Sequence, residues 1–277
     1  MVKKTILKDI CMSGIGIHSG EDIDLCLKPS FSGEIVFCRT DLVNFMIRPD
    51  PRNIDTKNSS CLVSGNQKVR TVEHLMASLY AFGLDSLIIE VNAEEIPIMD
   101  GSAAHFVSSI HETGIQSLTE QKKVIKIIEP FIIEEVDSSI SVSPDTAFVI
   151  SYLIEFDNPA IQMQELKISV NEENFSTEIA PARTFGFLKD ASNLKAKGLA
   201  LGASMENTIV LDENGVINGP LRFPDEFVRH KILDLIGDLS LLGFPLIGYF
   251  KAEKAGHSLH LKVARFLLDN PEYWTYV

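Results

Sequence analysis

The side chains best suited to chemistry fall in three short segments. His230 and Asp234 stand four residues apart in an apolar-rich, strongly helical stretch, so both leave one face of a helix. An imidazole and a carboxylate so placed can share one divalent metal. The same spacing also suits an exposed ion pair worth roughly a few tenths of a kcal/mol. Glu73-His74 opens another helical stretch. Adjacent residues cannot both face one ion along one face, but one can bind a metal while the other holds a water beside it. Glu next to a metal-activated water is a hydrolytic pairing. A Glu at a helix start also simply favours the macrodipole. HExxH is absent, and so is its inverse, because Arg70 stands where that motif needs its first His. Ordinary zinc-protease motifs are thereby excluded.

The third segment is Lys254-Ala-Gly-His257-Ser. A His just after a glycine, between a strand and a helix, is exposed and titrates near neutrality. Asp238, one helical turn beyond Asp234, is in position to hold that His protonated. Alternatively, Ser258 caps a helix and His257 is only its neighbour. The remaining histidines carry less. His105 and His111 read as surface residues of an amphipathic helix, and His260 as a structural residue of the last helix. His18, in Ser13-Gly-Ile-Gly-Ile-His-Ser-Gly20, is ambiguous: the glycines form neither a P-loop nor GxGxxG. Cys61 reads as a small core residue, with an approach to a metal left open.

The elements that position these groups follow from pattern and punctuation. Residues 1–70 read as strands, with alternation over Ile23 to Leu27, a β-prone run from Glu34 to Cys38, and breaks at Gly14, Gly16, Gly20 and Gly33. A helix is expected from about Thr71, as its cap, to Phe82, with a stripe of Val72, Leu75, Met76, Leu79 and Tyr80 and a stop at Gly83. Leu87 to Val91 reads as a buried strand. Asp100-Gly101 is a turn, and Ser102 caps a second helix to about Glu112. Polar Glu120-Gln-Lys-Lys is the expected linker. Strands resume over Val124 to Ile128, Phe131 to Glu135, Ala147 to Phe156 and Glu165 to Val170. A long helix is expected from Pro224-Asp225 to about Leu242, then Gly243, a strand from Pro245 to Ala252 and a last helix from about Ser258 to Leu268.

Both halves thus run strands, helix, glycine stop, strand, turn, helix. Laying Gly83 on Gly243 puts His74 on Asp234. The expected fold class is α+β, as two similar domains from a duplicated unit whose helices share a cleft: residues 1–119, a linker at 120–123, and 124–277. Chance remains the alternative, since this element order is common. Residues 185–220 are extra to the repeat. Their Phe185, Phe187, Leu188, Leu194, Leu199 and Leu201, with Gly186, Gly198 and Gly202, suit a loop-rich lid or an apolar wall.

The 277 residues suffice for one large domain or two ordinary ones, and 45% hydrophobic with 23% charged residues is a globular composition. A formal net charge of −13 argues against nucleic acid as a partner. The longest uncharged, mostly apolar run, Leu239 to Phe250, falls short of the ~18 residues that span a bilayer, so no transmembrane segment is expected. The N-terminus lacks the apolar stretch of a secretory signal. The four cysteines, Cys11, Cys26, Cys38 and Cys61, show no CxxC and no dense spacing, so reduced thiols in the cytoplasm are expected.

Five segments occurring in order are more specific than any one of them: Thr71-Val-Glu-His-Leu-Met-Ala-Ser-Leu79, Glu95-Ile-Pro-Ile-Met-Asp-Gly-Ser-Ala103, Ala182-Arg-Thr-Phe-Gly186, Arg229-His-Lys-Ile-Leu-Asp-Leu-Ile-Gly-Asp238 and Ala255-Gly-His-Ser258. Through them essentially the whole chain resembles the UDP-3-O-acyl-N-acetylglucosamine deacetylases, zinc amidases at the committed step of lipid A synthesis. The resemblance implies two α+β domains with helices sandwiched between sheets. It implies one catalytic Zn2+ held by His74, His230 and Asp234, with Glu73 as general base on the zinc-bound water and His257 as general acid. It gives Asp238 the role of orienting His257, and Thr184 that of holding the oxyanion. Lys231, Phe185 and Phe156 match substrate contacts. His18 lies in a loop typical of the active-site surroundings. The 185–220 insert, with Leu194 and Gly202, matches the passage for the acyl chain. Departures are His105, where many relatives have proline, and Asn158, where many have histidine. The implied partner is the UDP-sugar substrate alone, on a cytoplasmic monomer. A dehydratase or other UDP-sugar enzyme on the same scaffold is disfavoured by intact Glu73 and His257. The remaining alternative is a non-enzymatic, zinc-stabilised UDP-sugar binding protein, which needs a fourth ligand, Cys61 being the nearest guess.

Overall fold

The computed structural model describes residues 1–57 and 59–277. Its first half runs β1 (Val2–Ile6), β2 (Ile10–Ile15), β3 (Asp22–Pro29), β4 (Ile35–Arg39), β5 (Phe45–Ile47), β6 (Ile54–Asp55), β7 (Cys61–Ser64), β8 (Gln67–Val69), α1 (Glu73–Ala81), β9 (Leu87–Val91), α2 (Ala104–Thr113) and β10 (Ile115–Gln121). The second runs β11 (Ile125–Ile127), β12 (Phe131–Glu134), β13 (Ser139–Ser143), β14 (Phe148–Phe156), β15 (Gln162–Ser169) and the single turn α3 (Glu172–Asn174). It continues with β16 (Phe185–Phe187), α4 (Leu188–Ala196), β17 (Ile209–Asp212), β18 (Gly215–Val216), α5 (Glu226–Ser240), β19 (Leu246–Glu253), α6 (His257–Asp269) and β20 (Trp274–Tyr276).

The architecture is mixed, as expected of an α+β chain. A five-stranded sheet has the order β2-β3-β9-β4-β5, with only β4 and β9 parallel. In the second half β12-β13-β19-β14-β15 follow the same order, again with one parallel pair, β14 and β19. The chain enters and leaves each half through paired strands, β1 with β10 and β11 with β20. Each half also carries a small three-stranded sheet between its fifth strand and its first long helix: β6-β7-β8 and β16-β17-β18. The inner strands alternate in burial. In β19, Leu246, Gly248, Phe250 and Ala252 face in while the residues between them face out, the period of two that one covered face dictates.

Helix α1 is not amphipathic in the ordinary sense. Glu73 through Leu79 are all buried, because α1 lies between its own sheet and α5. Helix α5 is buried likewise and packs on β14 and β15, while α6 covers β12 and β13. One apolar cluster runs through both halves, from Leu25, Leu75 and Leu79 to Leu233, Leu235 and Phe250. Where α1 and α5 meet, a Cβ on Gly237 would fall inside the Glu73 carbonyl group, so only glycine lets the helices approach this closely.

Several expectations need correction. Thr71 does not cap α1: its φ is +57°, and its hydroxyl donates to Glu95 Oε1 at 2.9 Å. Ser102 does not cap α2 either: the N-cap is Ala103, with no side-chain cap, and the Ser102 hydroxyl accepts from the Ala104 N–H at 3.2 Å. The 120–123 segment is no free linker. Glu120 and Gln121 belong to β10, and Lys122 is tied to Asp85 at 2.6 Å and to the Gly83 carbonyl at 2.9 Å. The cysteines are not all reduced. Cys11 and Cys26 are directly opposed on β2 and β3 and form a disulfide, leaving Cys38 and Cys61 free and buried. Sequence spacing is silent here because cross-strand register, not distance along the chain, brings the two sulfurs together. Among the described residues, no helix is long and apolar enough to cross a membrane.

The helix contact makes a prediction. Gly237→Ala should cost about 1–3 kcal/mol of stability through overpacking. Denaturant unfolding of the two proteins checks this, and an unchanged midpoint would show that α1 and α5 can part freely.

Candidate metal centre and its surroundings

Helix α5 presents His230 and Asp234 one turn apart, and α1 brings His74 from the other half. All three are buried. One donor atom from each lies within 4.8 Å of the other two. Asp234 Oδ1 sits 3.4 Å from His230 Nε2 and 3.7 Å from His74 Nε2, and the two rings meet edge-on with centroids 5.0 Å apart. His230 Nδ1 lies 3.1 Å from the Ala182 carbonyl, which can only accept, so Nδ1 carries the proton and Nε2 is left free as a donor to a metal. Burial lowers the His230 pKa to about 4, keeping the ring neutral as a ligand must be. Burial opposes charge on Asp234 too, but Lys231, His230 and His74 hold its carboxyl well below the usual range. Lys231 Nζ donates to Asp234 Oδ2 at 2.6 Å. The His230 ring held neutral, a second imidazole from His74 and one carboxylate, converging within 4.8 Å, fit a divalent metal. Cys61 is not part of this group, and its thiol, pushed up to about 11 by burial, donates to a neighbouring carbonyl.

Glu73 sits beside His74 with its Oε2 accepting from the Ser60 N–H at 3.1 Å. Burial drives its pKa up to about 7, against the opposing pull of His257 and His74. His257 behaves oppositely. Burial disfavours its charge, yet Asp238, with Asp234 and Glu73 behind it, raises its pKa to about 9. Its Nδ1 lies 2.7 Å from Asp238 Oδ2. Burial works against the Asp238 charge as well, but the two imidazoles on it hold its pKa at about 2. His257 is the first residue of α6, and no side chain caps that helix, so the Ser258 alternative falls away. A carboxyl poised near neutrality and an imidazole kept protonated are a base and an acid side by side.

Around this core the chain is braced. Thr184, between the Ala182 carbonyl and β16, donates its N–H to the Gly101 carbonyl and receives the Ile209 N–H, both at 2.8 Å. Phe185 stands edge-on to His230, with centroids 6.2 Å apart, and Phe156 packs on Phe185 at 5.8 Å. Asn158 ties the end of this strand to the insert, donating to the Asp212 carbonyl at 2.8 Å. The 185–220 segment is an ordered unit, with α4 and three strands rather than a loose lid. Leu188, Leu201, Met205 and Ile217 are exposed on it, and Leu194 is half-buried. Gly202 does not line an open wall: a Cβ there would run into the Gly16 carbonyl and Ile15. Its N–H donates to the Ile17 carbonyl at 3.1 Å, joining the insert to the His18 loop. Burial lowers the His18 pKa, and the neutral ring accepts the Ala200 N–H at 3.4 Å.

Four contributors escaped the sequence reading. Glu95 is fully buried and accepts from the backbone N–H of His18 and of Ser19 and from the hydroxyls of Ser19 and Thr71, which fixes the His18 loop over the start of α1. Ser60 donates its hydroxyl to Asp238 Oδ1. Gly237 sets the helix approach. His260, read as structural, places its Nδ1 2.7 Å from Asp238 Oδ2. The motif stretch Glu95–Ala103 was the one available signal for Glu95. Nothing in the sequence marks Ser60, which reaches the site only through the packing of its small sheet.

The chain matches known proteins over nearly its whole length. The family model for UDP-3-O-acyl N-acetylglycosamine deacetylase matches residues 3–269. A UDP-3-O-acyl-N-acetylglucosamine deacetylase of Thermodesulfovibrio yellowstonii is 47% identical over 273 residues, covering 98% of this chain and 93% of its own. Deacetylases of the same name from Syntrophus aciditrophicus and Histophilus somni are each 42% identical, over 99% and 100% of this chain and 88% and 93% of theirs. A match of that extent, over a chain that gathers two histidines, an aspartate and an acid–base pair at one helix crossing, makes this protein a member of the UDP-3-O-acyl N-acetylglycosamine deacetylase family.

Proposed function

We propose that the protein removes the N-acetyl group of UDP-3-O-acyl-N-acetylglucosamine, releasing acetate and the free amine, as a step of lipid A synthesis in the cytoplasm. The observation that carries this is the pairing of a three-donor metal group with a base and an acid tuned in opposite directions. Zinc is the metal this donor set suits, and it would polarise the acetamide carbonyl and lower the pKa of water. His74, His230 and Asp234 would hold it, and the Ala182 carbonyl and Lys231 orient two of these side chains. Glu73 takes the proton of the attacking water. The Thr184 hydroxyl donates to the oxygen that becomes negative. His257, with its Nδ1–H held by Asp238, gives the Nε2 proton to the departing nitrogen, since an amide nitrogen leaves only as an amine. Phe185, Phe156 and Lys231 flank the sugar nucleotide, and the insert with Leu194 takes the acyl chain near the His18 loop. A non-enzymatic binding protein would not need a carboxyl and an imidazole shifted toward the protonation states of catalysis.

We further propose that the two halves, 1–119 and 124–277, descend from one duplicated unit. Their identical strand order, equally placed parallel pair, equally placed inserts and the matched positions of His74 and Asp234 support it.

His230→Ala should lose metal and activity together, whereas Glu73→Ala should keep the metal while kcat drops by roughly 10² or more. Metal analysis alongside a deacetylation assay reads both, and a fully active, metal-replete His230→Ala protein would remove His230 from the ligand set.

Activity needs Glu73 ionised and His257 protonated, so the pH profile should be a bell. It falls on the alkaline side as pH passes the His257 value of about 9, and on the acid side as pH drops below the Glu73 value of about 7, and a bound cation would displace both limbs downward. His257→Ala should abolish the alkaline limb and leave the acid one. Loss of the acid limb instead would reverse the two roles.

Each acyl methylene buried on the insert should contribute about 0.8 kcal/mol, so kcat/KM should rise about fourfold per methylene until the chain outgrows the wall. Leu194→Ala should flatten that dependence. A wild-type rate indifferent to acyl length would place the acyl chain elsewhere.

A further inference from the structure

Helix α6 carries a second histidine one turn after His257. Its ring is fully buried, and the Asp238 carboxylate fixes the proton on its Nδ1. Asp238 Oδ2 accepts from two imidazoles at once, His257 Nδ1 and His260 Nδ1, each at 2.7 Å. A carboxylate can only accept, so both rings carry a proton on Nδ1. Asp238 Oδ1 is taken by the Ser60 hydroxyl. At the far side of the His260 ring, Nε2 lies 2.9 Å from the Tyr152 hydroxyl, which is also 2.7 Å from the Ala255 carbonyl. Tyr152 is itself fully buried at the middle of β14. The chain β14, Tyr152, His260, Asp238, His257 is therefore continuous, and it ends at the atom proposed to deliver the leaving-group proton.

We propose that His260 is a positioning residue for this reaction: held by Tyr152, it donates to the same Asp238 oxygen as His257, fixing the carboxylate's orientation and limiting how firmly Asp238 holds the His257 proton. Two donors on one oxygen share its negative charge, so each is bound less tightly than it would be alone. An acid held too firmly gives up its proton slowly, which makes a second donor useful rather than merely structural. The groups around the pair are few. Asp238 and Asp234 on α5 and Glu73 on α1 face His257; Asp238 and Lys231 on α5, Tyr152 on β14 and His257 itself face His260. Among these groups, His257 and His260 are the two in hydrogen-bond contact with Asp238 Oδ2.

The test is the pH dependence of kcat for the metal-replete wild type, His260→Ala, His260→Asn and Tyr152→Phe, with bound metal measured in each. In His260→Ala the alkaline limb should move up by about half a unit or more, as Asp238 turns wholly to His257, and kcat should fall about tenfold with KM changed far less. His260→Asn, whose amide can still donate to Oδ2, should return the limb toward its wild-type position. Tyr152→Phe should move it the same way as His260→Ala but less, and carries the test if His260→Ala does not fold. A limb that stays put in a folded, metal-replete His260→Ala protein, or in Tyr152→Phe if His260→Ala does not fold, overturns the proposal, as does one that moves down. The inference rests on the deacetylase reading, and the wild type separates the failures: a wild type that does not release acetate from UDP-3-O-acyl-N-acetylglucosamine sinks that reading, whereas an active wild type with unmoved variants sinks only the role of His260.

Discussion

The site exists because two helices from different halves come closer than side chains normally allow. At Gly237 the backbone of α5 lies against the carbonyl of Glu73, the first residue of α1. That one contact sets the spacing between His74 and the His230–Asp234 pair, and it brings Glu73 to the same point. A methyl group at this position would push apart groups that must converge within a few ångströms. The apolar cluster running through both sheets supplies the force that presses the helices together, while glycine supplies the permission. The alternatives to such a design are ligands on loops, which hold geometry less precisely than two packed helices do.

Packing the helices so tightly buries charge, and the way that charge is neutralised determines the chemistry. Asp234 is paired with Lys231, and Asp238 with two imidazoles and a hydroxyl. Among the described residues no cation is in hydrogen-bond contact with Glu73, whose Oε2 accepts from the Ser60 N–H. Burial then acts unopposed enough to lift it toward neutrality, while the well-served Asp238 stays ionised and lifts His257 instead. Two carboxylates on facing helices thus shift in opposite directions for one reason, the number and charge of donors each receives.

The residues that proved legible in the sequence are those whose spacing follows a helix. His230, Asp234 and Asp238 share a face by periodicity, and the stops at Gly83 and Gly243 follow from left-handed glycine conformations, φ +66° and +77°. Resemblance then supplied what periodicity could not, the choice between an ion pair and a ligand set. What stayed hidden depends on contacts between segments far apart in the chain. The Cys11–Cys26 bond is set by strand register, Ser60 by the docking of a small sheet, and the burial of α1 on every side by a partner helix about 160 residues away. Thr71 was misread for a related reason. Its residue type suits a cap, but a buried carboxylate, Glu95, claims its hydroxyl, and a tertiary partner outweighs local propensity.

The two small three-stranded sheets occupy matching places in the two halves, yet they serve unlike ends. β6-β7-β8 delivers Ser60, whose N–H and hydroxyl reach Glu73 and Asp238. β16-β17-β18 starts at Phe185, directly after Thr184, and its unit is clasped by the His18 loop through the Gly202 and Leu201 N–H groups. That loop in turn hangs on Glu95, which also fixes Thr71 just before α1. One buried carboxylate therefore links the start of the helix that carries Glu73 and His74 to the roof over the insert. Where the insert meets the loop, Gly202 lies against Gly16 and Gly20 with no room for a side chain between them, so the two segments are joined backbone to backbone.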